Sequence, residues 1–132
     1  MAAQAAKSLE VLDRILAGNP AREVAKRIVE QASSLPPEQA KYLSYSQLAN
    51  MAEVEPSDGR LIQSVAVLTA GQVDFLNPFY VFEATDGEEY RLNSRELAEA
   101  KQLGYIIDPH SGDRVLDYRH HIFPYFECKF NK

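Results

Sequence analysis

Apolar residues recur at helical spacing through the first half of the chain. Leu9, Leu12 and Leu16 share one stripe within residues 5–17, with Val11 and Ile15 beside it. Gly18 and Asn19 end that helix. Asn19 is placed to cap the next one, and Pro20 suits a first helical position, where a missing N–H costs nothing. Val24, Ile28, Ala32 and Leu35 form the apolar face of this second helix, and Arg22, Glu23, Lys26 and Glu30 cover its other side. Pro36-Pro37 stops it. Ser44-Tyr45-Ser46-Gln47 is a capping box ahead of Leu48, Ala49 and Met51, which predicts a third helix. After "VEPS" breaks the chain, Ser57 is the expected cap of a helix running towards Ala70 or Gly71, with Leu61, Ile62, Val65 and Leu68 as its core residues. A strand reading of "LIQSVAVLT" stays open through β-branched Val65 and Val67, but a cap before it and Gly71 after it favour the helix.

The second half changes period. "PFYVFEAT" and "EEYRLN" flank Asp86-Gly87, a dipeptide suited to a tight hairpin turn. A turn centred on it sets Val81 opposite Leu92 and Glu83 opposite Tyr90. Asn93 or Ser94 then caps a short helix, "RELAEAKQL", which Gly104 ends. "GYIIDPHSGDRVLDY" reads as a looser hairpin around Pro109 to Gly112. The aromatic tail "HHIFPYFECKF" is expected to pack back on the body.

The composition is that of an ordinary globular chain, and 132 residues suffice for one domain with a real core. The formal charge is −5, and the acidic excess lies mainly between Asp74 and Glu127. A nucleic-acid binder usually carries a basic face, so this balance counts against that class. The one cysteine, Cys128, has no partner for an internal disulfide, and a reduced, cytoplasmic setting is expected. The N-terminus lacks the pattern of a secretory signal, and no apolar run approaches a membrane span.

Helices at 20–35, 44–52 and 57–70 followed by a hairpin at 79–93 resemble the winged-helix (helix-turn-helix) superfamily in element order. The resemblance implies an α+β fold with a winged-helix-like core of three helices plus a β-hairpin wing over residues 20–93. An extra N-terminal helix (1–19) and a C-terminal helix/hairpin extension (94–132) would pack on it as one domain. In that superfamily the third helix reads the DNA major groove.

That helix has little to read with. It offers Arg60, Gln63, Ser64, Thr69 and Gln72, with Asp58 subtracting, and the wing sets Glu83, Asp86, Glu88 and Glu89 against Arg91 alone. Carboxylates beside phosphates repel, so the expected field has the wrong sign. A charge-poor surface rich in large apolar groups suits a protein contact better. The reading that follows is a non-enzymatic protein-interaction or regulatory module that meets a protein partner or a copy of itself around Tyr45, Phe75, Phe79 and Tyr80. The alternative is a DNA-binding regulator contacting through Arg60, Gln63 and Arg91. No cofactor motif is present: the Gly-x-x-x-x-Gly-Lys loop is absent.

Asp108, His110, Asp113, Asp117, His120 and His121 form the one cluster with a chemical flavour, and the weakest alternative is a metal-dependent activity at His110, His120 and His121. Their spacing matches no ligand pattern such as His-Glu-x-x-His. Asp-Pro and Ser-Gly-Asp are ordinary turn chemistry, and adjacent His120 and His121 point apart in regular structure. A Cys128–His dyad lacks the electropositive setting that a reactive thiolate needs.

Overall fold

The computed structural model describes residues 3–129, and its fold is α+β with an antiparallel sheet. The outermost parts of the expected terminal segments, residues 1–2 and 130–132, lie outside the described residues. Compactness divides the chain into two units. One takes the chain up to Pro78 and again from Phe126, and the other is Phe79–Tyr125. The division between these units falls at Pro78–Phe79, inside the 20–93 stretch. The hairpin read as a wing belongs with the residues that follow it, not with the helices before it.

The first unit holds α1 (Ala3–Ile15), α2 (Ala21–Ser33), α3 (Pro37–Ala40), β1 (Leu43–Ser44), α4 (Tyr45–Ala52) and α5 (Gly59–Thr69). α2 packs against α1, α4 and α5. Caps set the helix starts. The Asn19 side chain accepts from the Ala21 amide at 2.8 Å. Ser44 and Gln47 exchange both bonds of a capping box, at 3.1 and 2.7 Å. Asp58, not Ser57, caps α5 by accepting from the Arg60 amide.

α5 buries Leu61, Ser64, Val65 and Leu68, an i, i+3, i+4, i+7 stripe. Ile62, expected in the core, is 58% exposed. The inward position goes to Ser64, whose hydroxyl lies 3.0 Å from the Ala21 carbonyl of α2 and 2.6 Å from that of Arg60. Ser64 lies on the buried stripe of this helix, and its hydroxyl has an acceptor within its own helix.

The chain leaves this unit along β2 (Leu76–Glu83) and returns along β6 (Ile122–Cys128). The sheet order is β1-β6-β2-β3, so the tail, expected only to pack on the body, is instead a strand. The Lys129 amide donates to the Phe75 carbonyl at 2.9 Å, Asn77 donates to Glu127 at 2.7 Å, and the Phe79 and Tyr125 rings stack at 6.0 Å. This regular stepping in opposite directions makes β2 and β6 an antiparallel ribbon. Its inner end puts Phe75, Leu76, Phe126 and Cys128 into the helical core.

The second unit contains the outer halves of β2 and β6, β3 (Glu89–Leu92), α6 (Ser94–Leu103), β4 (Ile106–Ile107), β5 (Arg114–Val115) and a 3-10 turn at Tyr118–His121. Asn93 and Glu96 form the capping box of α6, and Gly104 closes it at φ 82°. The first hairpin slips by one residue from the expected register. Tyr80 faces Leu92, Val81 faces Arg91, Phe82 faces Tyr90 and Glu83 faces Glu89. Gly87 is the cause. It sits at φ 83° as a third loop residue after Thr85 and Asp86, with its amide on the Ala84 carbonyl and the Ala84 amide on that of Glu88. The slip pairs Phe82 with Tyr90 on the face that joins Ala84, Ala100 and Tyr118 in a second core. β4 and β5 form the looser hairpin in antiparallel pairing, as read. Among the described residues no helix is long and apolar enough to cross a membrane.

Asp108 ties the two hairpins of this unit together. Its fully buried carboxylate accepts from the amides of Thr85 (3.0 Å), His110 (2.8 Å) and Ser111 (3.2 Å). The Thr85 amide is the leading cause that holds the carboxyl below its ordinary range, against the opposing effect of burial. A depressed pKa means stability that is present above the ordinary carboxylate value of about 4 and lost as pH falls below it. Asp108→Ala should therefore lower the melting temperature at pH 7. The gap to wild type should narrow below about pH 4, as thermal melts over a pH series would record.

Candidate interaction surface

The four aromatics singled out from sequence do not form one patch. Phe75 is fully buried in the first core, and Phe79 is buried in the second unit against Tyr125 with the Arg91 guanidinium 4.1 Å above its ring. Tyr45 is half-buried against the first core. Tyr80 is 40% exposed. The two phenylalanines follow the inward phase of their segments and cannot present a surface.

Tyr80 lines an open groove of about 290 Å³ with Leu97, Lys101, Tyr118, Arg119 and Ile122, all within the second unit. Local structure explains the convergence. Tyr80 shares its strand face with Phe82, two residues on, which lies in the second core. Leu97 and Lys101 are one turn apart on α6, hence on one side of it. Tyr118, buried, is the floor, and Ile122 opens β6 beside it. Arg119 donates from Nε to the Tyr118 hydroxyl at 3.4 Å, with its guanidinium 5.7 Å from the ring centre. The lining is otherwise apolar and aromatic, and its two charged residues, Lys101 and Arg119, are both cationic.

The residues read for DNA contact fall in both units, and both arginines have a partner. Arg60 is locked on Asp58 in a two-bond pair, at 3.1 Å from Nε and 2.7 Å from an Nη, which holds the Asp58 carboxyl below its ordinary range. Gln63 is exposed on α5, beside Ile62 and Ala66, on a face with little charge. Arg91 belongs to the second unit and lies over Phe79.

The Asp/His cluster disperses. Nδ1 of His110 lies 3.3 Å from Asp86, and Nε2 of His121 lies 3.3 Å from Asp117, both on the surface. His120 is exposed on the 3-10 turn. The Asp108 carboxylate is taken up by backbone amides. Among the described residues, no group of three or more His, Cys, Asp or Glu side chains is placed to hold a metal ion. Burial pushes the Cys128 thiol up to about 12, so it stays protonated at neutral pH.

No family model, curated protein or solved structure matches this chain.

The Tyr45 hydroxyl is buried without a hydrogen-bond partner among the described residues, and burial raises its pKa. An unsatisfied buried polar group is destabilising, so Tyr45→Phe should raise unfolding stability by about 1 kcal/mol. Urea denaturation of the two proteins measures it, and a less stable variant would show that the hydroxyl has a partner in solution.

Proposed function

We propose that this protein is a non-enzymatic protein-interaction or regulatory module whose contact site is the Tyr80 groove. The single observation that carries the reading is an open apolar groove with a half-exposed tyrosine on a frame of strand and helix. Interfaces are centred on such aromatic anchors, and residues held by regular elements bind with little ordering cost. The scaffold is read as winged-helix-like on element order alone: α2, α4 and α5, with the short α3 and β1 between the first two, precede the β2–β3 hairpin, whose residues from Phe79 on fall in the second unit.

The charge pattern of α5 favours protein over DNA. The cation of this helix best placed to meet a phosphate, Arg60, is held by its own N-cap carboxylate. Neutralising phosphates would require breaking that pair and approaching an acidic chain.

Selection of a random peptide library on the immobilised full-length protein tests the reading. Enriched peptides should lose roughly tenfold or more in affinity on Tyr80→Ala, as expected for one buried aromatic anchor, and should be unaffected by Arg60→Glu. Binding of random duplex DNA at low salt that disappears in Arg60→Glu would favour the regulator reading instead.

A further inference from the structure

We propose that the Tyr80 groove selects an acidic protein segment, one that inserts an aliphatic or aromatic side chain and sets carboxylates against Lys101 and Arg119. The inference rests on the interaction reading above and adds the chemistry of the partner.

Residues 79–125 carry nine Asp and Glu against five Lys and Arg. Three of those five cations have a partner nearby. Arg91 lies over Phe79, Arg114 lies over Tyr105 at 4.8 Å, and Arg95 pairs with Glu99 at 3.2 Å. The remaining two, Lys101 and Arg119, stand at the groove. The Lys101 ammonium has no carboxylate partner among the described residues, and the contacts of the Arg119 side chain are with Tyr118. Nearby acids are engaged elsewhere: Asp117 faces His121, Glu96 caps α6 and Glu99 holds Arg95. A net-acidic unit thus leaves its two uncompensated cations flanking its apolar groove.

Complementarity across an interface sets which partner is accepted more than how tightly it is held. A segment with basic flanks would meet two like charges at the rim, and a neutral one would leave both unanswered. Nucleic acid is the other polyanion that aromatic and cationic grooves take. It carries a charge at every nucleotide, whereas this groove answers two and its unit repels the rest. The ligand best matched has few charges and an apolar centre, which describes a peptide.

The experiment is the same library selection, run on wild type and on Lys101→Glu/Arg119→Glu. Both substituted positions are exposed, so the fold is retained, as circular dichroism would verify. Peptides enriched on wild type should carry Asp or Glu within a few positions of an apolar anchor, and their affinity should fall as salt is raised. Peptides enriched on the double variant should carry Lys or Arg there, with dependence on Tyr80 kept. Neutral or basic flanks on wild type, or an unchanged preference on the variant, would overturn the charge assignment while leaving the groove as a peptide site. Enrichment that ignores Tyr80 would remove the groove reading and this inference together. A labelled oligothymidine that bound wild type but not the double variant would replace the peptide with nucleic acid.

Discussion

Everything in this chain depends on one non-local pairing, the antiparallel ribbon of β2 and β6. Its steps run from the Phe75 carbonyl and Lys129 amide through Asn77 and Glu127 to the Phe79–Tyr125 stack. Closing strands so far apart in sequence costs chain entropy before any contact is made. The compensation is burial. Phe126 and Cys128 enter the helical core, and the same strands carry the chain out to a second core around Phe82, Ala84, Ala100 and Tyr118. The ribbon is thus the exit and the return of residues 79–125, and each unit keeps its own apolar interior.

The helices were largely legible because their signals are local. The Ser44–Gln47 and Asn93–Glu96 boxes announce starts, and Gly104 announces a stop. What escaped is non-local or one residue wide. β1 hides inside a capping box, and β6 contains Pro124 and pairs with a strand some fifty residues away. The hairpin slip turns on whether Gly87 is the second or third loop residue, which the dipeptide alone leaves open. The exchange of Ile62 for Ser64 in the α5 stripe is decided by how closely Ala21 of α2 approaches, a tertiary matter.

Of the four aromatics named from sequence, Tyr80 alone lines the groove, whose other residues, 97, 101, 118, 119 and 122, come from segments that no local pattern brings together. One signal was present all the same: Leu97 and Lys101 lie one helical turn apart, and Lys101 and Arg119 are cations within an acidic segment. The two phenylalanines counted with Tyr80 were large enough to anchor a partner and for the same reason are buried. In the first unit Arg60 pairs with the carboxylate that caps its own helix, and in the second Lys101 and Arg119 line an apolar groove.

Replacing Phe79–Tyr125 by an Asn-Gly turn that joins Pro78 to Phe126 tests the central claim most directly. Because β2 and β6 already run antiparallel at that point, a two-residue loop can close them. The shortened protein should keep a helical circular dichroism spectrum and melt in one cooperative transition, since the first core is complete without the excised residues. A chain that showed no cooperative transition would mean that the helical core depends on the excised unit, and the account of two separately cored units joined by a ribbon would be wrong.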